Sequence, residues 1–162
     1  MYKLILYPLL LVAMLMFYID QLNQQVALQT YYTAKYALNR ATHAAAMQLD
    51  KIALADGFLY IDPLQAYEQG RLMLFQNLQL DENGQITSHT FLQNPVKVLH
   101  FEVINDNLPL QYDNPQYNIE LLIEAPTVIM VVEIYSPGIF SRRNQLKWEI
   151  VGSSKIIAPH SF

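Results

Sequence analysis

Residues 1–25 read MYKLILYPLLLVAMLMFYIDQLNQQ, and this opening decides how the rest of the chain is interpreted. No charged residue occurs from Leu4 to Ile19. As a helix rising 1.5 Å per residue, residues 1–19 span roughly 28 Å, close to the roughly 30 Å of hydrocarbon in a bilayer. The run ends in Phe-Tyr-Ile-Asp, without the small-x-small site at which signal peptides are cut. The sequence therefore predicts a retained transmembrane anchor over residues 1–19, in preference to a cleaved signal or a buried core helix.

The charges that flank this run indicate how it is oriented. Lys3 is the only charge on its N-terminal side, and Asp20 follows its last residue. Positive charge is retained on the cytoplasmic side of membrane helices. We therefore expect a single-pass protein of the cell membrane, with its N-terminus in the cytoplasm and its C-terminal domain extracytoplasmic.

Length and composition limit what the remainder can be. About 140 residues follow the anchor, which is enough for one hydrophobic core. The whole chain has no Cys and a net charge of −4; because Lys3 is the only charge before Asp20, the part beyond the anchor carries −5. Such a domain has no basic face with which to neutralise phosphates, so no nucleic-acid partner is expected.

The apolar run continues into a second helical segment. Residues 20–56 contain no Gly or Pro and are rich in Ala, Leu and Gln, which favour helix. Gly57 follows them, as expected of a C-terminal cap. The sequence predicts one helix from about residue 3 to about residue 55, with 20–56 as its extracytoplasmic continuation.

One stripe of this helix recurs at steps of three and four residues and is rich in small side chains, which let another element approach closely. Its members are the candidate helix-packing and assembly residues Ala27, Tyr31, Ala34, Leu38, Ala41 and Ala45. Two interpretations stay open for it. Over residues 38–54 we favour packing on the protein's own sheet, and over residues 20–37 we favour contact with other chains.

The remaining residues predict an α+β head. Asp62 as N-cap and Pro63 at the first position indicate a short second helix, which the DENG turn at 81–84 ends. The apolar period then changes to two, which indicates strands rich in β-branched and aromatic residues. Four strands are expected, at 96–104, 117–125, 127–135 and 145–157. We expect a head domain over 57–162, in which a mainly antiparallel β-sheet packs on the long helix.

The chain lacks the common motifs of catalysis and cofactor binding. Its four His do not form a pair at metal-binding spacing, and no Gly-x-Ser-x-Gly or phosphate-binding Gly loop is present. We therefore expect no enzymatic activity, no cofactor, no metal and no small-molecule substrate.

Two polar stretches between the predicted strands are candidate recognition loops, at 105–116 and 137–144. The first begins with Asn105, Asp106 and Asn107, which favour turns. The second carries Arg142 and Arg143, either as a solvated hairpin tip or as a contact with an acidic neighbouring subunit.

The stretch YYTAKYALNRATHAAAMQLD at 31–50 resembles the region after the membrane segment of TadE-like minor pilins of tight-adherence systems. A pattern of the kind Ala-x-x-Ala-(x)-Arg-Ala-x-x-Ala-Ala is common there, and the likeness here is carried by Ala37, Arg40, Ala41, Ala44 and Ala45. The wider plan, an apolar half-helix continuing into an Ala-rich half and then an α+β head, resembles type IV pilin-like proteins over residues 1–55. The chain departs from them in lacking a prepilin-peptidase site and the Glu at the fifth position of the apolar segment.

This resemblance implies a structural or assembly component: a pilin-like subunit or accessory of a pilus or secretion-type apparatus in a bacterial envelope. Its expected partners are the lipid bilayer and other membrane or pilus subunits, reached through the N-terminal helix in a homo- or hetero-oligomer. The alternative is a monomeric, membrane-tethered extracytoplasmic binding domain with the helix as a stalk and the two polar loops as its recognition surface.

Overall fold

The chain is an α+β protein in a computed structural model that describes residues 2–138 and 145–156, with backbone alone for 2–4. The helices are α1 (Tyr2–Ala46), α2 (Lys51–Ala55) and α3 (Pro63–Asn77). The strands are β1 (Lys97–Ile104), β2 (Leu110–Asn114), β3 (Ile119–Ile123), β4 (Thr127–Tyr135) and β5 (Lys147–Lys155). The predicted class, a long N-terminal helix and a shorter helix with an antiparallel sheet, is confirmed.

The long helix is shorter than predicted. It ends at Ala46, and the chain turns before α2 instead of continuing to residue 55. Asp50 causes the restart, because it has extended backbone and its carboxylate accepts a hydrogen bond from the Ile52 N–H at 2.8 Å. Gly57, at φ +84°, closes α2 and not the long helix. The prediction was wrong because residues 20–56 contain no Gly or Pro to mark a break, and the Asp50 cap that starts a new helix was not recognised.

The second predicted helix is present as α3. The Asp62 carboxylate accepts from the Leu64 N–H at 2.9 Å, and Pro63 occupies the first turn, as the sequence indicates. The helix ends at Asn77, a few residues before the DENG turn. Gly70 lies where α3 meets α1: a Cβ at this position would stand 3.2 Å from the Ala45 Cβ.

The strands form a three-stranded antiparallel sheet of order β1-β4-β5 and a separate antiparallel hairpin of β2 and β3. All four predicted strands are present, and β4 has the predicted bounds. The missed strand is β2, which lies in the predicted loop NDNLPLQYDNPQ. Pro109 and the Asn and Asp residues around it gave a turn signal. Pairing with β3, for example Tyr112 opposite Leu121, stabilises β2 instead.

The central strand β4 is covered on both faces. Met130 and Val132 pack with α1 and α3 in one buried cluster, and Ile129 and Val131 pack with the hairpin in another. The head thus has three layers, with helices on one side of the sheet and the hairpin on the other.

The two halves of α1 differ in their surroundings. From residue 5 to residue 18 every side chain is exposed, and the large apolar ones are 51–72% exposed. From Ala27 onward the helix contributes fully buried side chains to the head. The second half of α1 is therefore part of the core of the domain.

A buried carboxylate on the hairpin side of the sheet is held by an ion pair. Lys147 Nζ lies 2.8 Å from Glu133 Oε2 and 3.1 Å from Glu149 Oε1. The hydrogen bond from Lys147 lowers the pKa of Glu133 below its ordinary value, against the effect of burial, and a hydrogen bond from Tyr135 adds to the lowering. Glu133 in turn raises the pKa of Lys147.

This pair predicts an acid-dependent component of stability. A carboxyl group whose folded-state pKa is lowered contributes stability above the ordinary pKa of 4.5, and the contribution is lost as the pH falls through the folded-state pKa. Glu133→Gln should lose less free energy of unfolding than the native chain when the pH falls from about 5 to about 3. Urea unfolding at both pH values measures this. Glu120→Gln, exposed on β3, should behave as the native chain does; equal acid dependence of the Glu133 variant would contradict the assignment.

Candidate membrane and assembly surfaces

Within the described residues, one helix is long and apolar enough to cross a membrane. The most apolar part of α1 has a mean hydropathy of 1.8 over 18 residues, and none of that window is buried. The head therefore leaves the N-terminal half of α1 uncovered. By length and composition, the predicted N-terminal apolar helix is confirmed as a candidate membrane span.

The stripe predicted for assembly lies inside the head. Ala34, Leu38, Ala41 and Ala45 are fully buried, and Ala27 is 6% exposed. Within the chain, α1 contacts α3, β4 and β5. For Leu38, Ala41 and Ala45 this agrees with the interpretation favoured over residues 38–54, packing within the chain. For Ala27 and Ala34, where contact with other chains was favoured, the interpretation is corrected, because their surface is already used within the monomer.

Tyr31, the remaining member of the stripe, is half-buried at the edge of the same cluster. Its ring packs edge-on against Trp148 of β5, with 5.8 Å between the ring centroids. Nearby, Lys35 Nζ donates a hydrogen bond to the carbonyl oxygen of Val151. These contacts attach the middle of α1 to β5.

A different face of α1 is available to partners. Leu28, Tyr32 and Tyr36 are 58%, 55% and 67% exposed, at successive steps of four residues. Residues four apart share a helix face, so these three form one exposed, largely aromatic ridge beyond the apolar half. We refer to Leu28, Tyr32 and Tyr36 as the outer ridge. Sequence reasoning missed it because the Ala-rich stripe gave the stronger pattern, although the spacing of four was visible.

The candidate recognition residue Asn105 has a structural role. Its side-chain oxygen accepts from the Ile61 N–H at 3.0 Å, and its amide nitrogen donates to the Ile61 carbonyl at 2.9 Å. Ile61 is itself buried and lies between α2 and α3. Asn105 therefore holds that connection against the end of β1.

The two hydrogen bonds between the Asn105 side chain and the Ile61 backbone can be tested by removing the Asn105 donor. Asn105→Asp keeps the acceptor but cannot donate to Ile61, and leaving a buried carbonyl unsatisfied costs about 1–3 kcal/mol. We expect a fall of that size in the free energy of unfolding, measured with urea. Asn107→Gly is a matched control, since Asn107 is exposed at φ +58° and Gly accepts that conformation. Equal stability of the two variants would show that the hydrogen bonds of Asn105 to Ile61 contribute nothing to the free energy of unfolding.

The structure describes two of the other candidate recognition residues, Asp106 and Asn107. Asp106 and Asn107 are exposed at the end of β1. A hydrogen bond to Asp106 raises the pKa of Tyr60 above its ordinary value. Arg142 and Arg143 lie outside the described residues. Five of the twelve residues of the predicted recognition stretch 105–116 form β2, the first strand of the hairpin.

A polar cluster joins the hairpin to β1. The Tyr112 hydroxyl donates to Glu102 Oε2 at 2.6 Å, and His100 Nε2 lies 3.0 Å from the same oxygen. Asn114 Nδ2 donates to the Tyr112 hydroxyl at 3.2 Å. Burial, followed by the hydrogen bond to Glu102, raises the pKa of Tyr112. The four side chains satisfy one another, and together they secure β2 to the sheet.

Over residues 2–138 and 145–156 the structure shows no group of three or more His, Asp or Glu side chains that could hold a metal ion. Two described features of α1 have the character of an interaction surface, its uncovered apolar half and the outer ridge. Comparison of the chain with protein-family models, curated proteins and solved structures finds no match.

Proposed function

We propose that this chain is a membrane-anchored structural or assembly component of a bacterial envelope apparatus, of the kind that its resemblance to TadE-like pilins implies. The N-terminus lies in the cytoplasm, residues 1–19 form the transmembrane anchor, and the head lies outside. The observation that carries the proposal is that one helix, α1, supplies both an uncovered apolar segment and the core of the head.

The uncovered segment requires an apolar environment. Eight of the fourteen residues from 5 to 18 are Leu, Ile, Val or Phe. Each such residue favours membrane insertion by roughly 0.3–0.6 kcal/mol, or about 2–5 kcal/mol for the eight. Exposed apolar surface of this extent marks a site for lipid or protein. A lipid bilayer, with other membrane subunits beside it, supplies such an environment.

The rigid connection between anchor and head favours assembly over a flexible tether. No break in α1 separates the apolar half from the half that packs on β4 and β5. The chain first turns after Ala46, beyond the packed part of the helix. The orientation of the head is therefore fixed by the orientation of the anchor, which suits a subunit that must meet neighbours in a defined arrangement.

The outer ridge is the surface we assign to those neighbours. Its three side chains lie on the anchor helix beyond the bilayer, where parallel helices of adjacent subunits would approach one another. Tyrosine is also well suited to protein interfaces, because it combines apolar area with a hydroxyl group. The assembly role predicted for the Ala stripe is thus transferred to Leu28, Tyr32 and Tyr36.

The test is disulfide cross-linking of the full chain in membranes, for which the absence of Cys gives a clean background. Tyr32→Cys should form disulfide-linked dimers on mild oxidation, because the ridge of one copy meets the ridge of a neighbouring copy that carries the same Cys. Leu122→Cys is the matched control: it is 69% exposed on the hairpin, away from α1, and should stay monomeric.

Two results would count against assembly. Equal cross-linking of both variants would indicate random collision in the membrane. No cross-linking of Tyr32→Cys, together with a monomeric full-length protein in mild detergent, would leave α1 as a stalk and favour the alternative of a tethered binding domain.

A further inference from the structure

The end of the head that lies toward the apolar half of α1 can be identified from β5. Trp148, near the start of this strand, packs on Tyr31, and Gly152 packs farther along α1 on Leu38. The strand therefore runs in the same direction as α1. The connection that precedes β1 consequently meets residues 136–138 and 145–146, which flank β4 and β5, at the membrane-proximal end of the head.

Exposed apolar side chains and amides alternate at this end. Phe91 is 43% exposed and Leu146 is 55% exposed. Between them, Gln145 Nε2 donates to Gln93 Oε1 at 3.2 Å, and Asn94 Nδ2 donates to Gln145 Oε1 at 2.7 Å, so the two connections are joined. We call this surface the rim and define it by Phe91, Gln93, Pro137, Gln145 and Leu146.

The rim lies close to the bilayer surface. Phe91 and Pro137 line a groove of about 410 Å³ beside α1, together with residues that include Val26. Val26 stands roughly 10 Å beyond Ile19 along the helix. The headgroups extend roughly 5–8 Å beyond the hydrocarbon on each side, and a transmembrane helix tilts by about 20° on average. A tilt toward the head lowers the rim by several Å, into the headgroup layer.

The head also leaves little free helix above the bilayer. Ile19, Leu22, Asn23 and Val26 are half-buried, at steps of three and four that continue the buried face of α1. Tyr18 and Asp20, on other faces of the helix, are exposed. The side of α1 that continues its buried face is thus partly covered from Ile19 onward, and on this side Val26 lines the groove beside the rim.

From these positions we infer that the rim rests among the lipid headgroups of the bilayer that α1 spans, with Phe91 and Leu146 inserted and the glutamine amides bonded to the headgroups. Side chains with an apolar body next to a polar group are those that membrane interfaces favour. The five rim residues carry no charge, so we expect zwitterionic phosphatidylcholine to suffice. This inference rests on the proposed membrane anchoring.

Tryptophan fluorescence in vesicles tests the inference on the full chain. In a Trp148→Phe background, which removes the only native Trp, a single Trp is placed by Phe91→Trp or by Leu146→Trp. Phe58→Trp is the matched control, since Phe58 is 61% exposed beyond the opposite end of α1. Phe17→Trp reports on the membrane span. Each protein is reconstituted in phosphatidylcholine vesicles that contain a headgroup spin label, and in vesicles with brominated acyl chains.

The headgroup label should quench Phe91→Trp and Leu146→Trp at least twofold more than Phe58→Trp, and the bromine should quench Phe17→Trp. If both rim variants are quenched no more than Phe58→Trp while Phe17→Trp is quenched by bromine, the inference is wrong and the anchoring stands. If bromine leaves Phe17→Trp unquenched, the anchoring itself is overturned, and the inference with it.

Discussion

Leu38→Ala is expected to lower the free energy of unfolding by about 2–5 kcal/mol, the range for truncating a fully buried leucine. Leu38 is 0% exposed and belongs to the cluster that joins α1, α3 and the sheet. The neighbours on β4 and β5 are held by the pairing of these two strands, which limits how far they can move into the cavity. Urea unfolding of the full chain in mild detergent, followed by Trp148 fluorescence, measures the loss.

Gly152 makes this prediction sharper, because it faces Leu38 directly. A Cβ at position 152 would lie 2.6 Å from Leu38 Cγ, a branch atom that cannot turn aside as a flexible side-chain end would. Gly152→Ala alone should therefore cost about 1–3 kcal/mol by overpacking. In the Leu38→Ala background the added methyl group enters the cavity, so the double variant should lose no more than Leu38→Ala alone.

The quantity to be measured is the coupling energy, which is the loss of stability in the double variant minus the sum of the losses in Leu38→Ala and Gly152→Ala. Contacting residues show coupling energies of about 0.5–3 kcal/mol, whereas separate sites add to within about 0.5 kcal/mol. Ile119→Ala with Gly152→Ala is the control pair, because Ile119 lies in the cluster on the other face of the sheet and should be additive. Additive losses for Leu38→Ala with Gly152→Ala would show that α1 does not pack on β5 at this point.

The features that could be predicted from the sequence are those with a local signal. Strands β1, β3, β4 and β5 are marked by runs of β-branched residues, and α3 by the Asp62 and Pro63 pair, so local chemistry was sufficient. The Ala stripe was also visible, but its partner was not. A stripe of small residues indicates close approach to some element and carries no information on whether that element belongs to the same chain.

Other features depend on contacts between distant residues. The break after Ala46 depends on the Asp50 cap and on the β-bridge between Leu49 and Ile61. Neither could be recognised in a stretch whose composition favours helix throughout. Strand β2 exists through its pairing with β3, and Asn105 appeared to be a turn residue until Ile61 was placed beside it. The outer ridge became recognisable only when the Ala stripe proved to be buried, which left the other face of α1 for neighbours.

Introducing two arginines into the apolar half of α1 should have the largest effect on whether the protein stays in the membrane. A charged side chain near the centre of a membrane helix costs about 2.5–3.5 kcal/mol. Leu11→Arg with Leu15→Arg therefore costs about 5–7 kcal/mol, which exceeds the roughly 2–5 kcal/mol that the apolar residues contribute. The double variant should be lost from membranes washed with alkaline carbonate, whereas most of the native chain should remain in the pellet.

The matched control places the same two charges, at the same spacing, on the same helix. Leu28→Arg with Tyr32→Arg changes exposed residues of the outer ridge, so that variant should stay in the membrane and keep its fold. If the outer ridge meets a neighbour, the control should fail to assemble while remaining anchored, which separates the two roles that we assign to α1. Retention of the Leu11 and Leu15 variant in the pellet would instead show that residues 1–19 do not cross the bilayer, because the gain from the remaining apolar residues does not offset two charges at this depth.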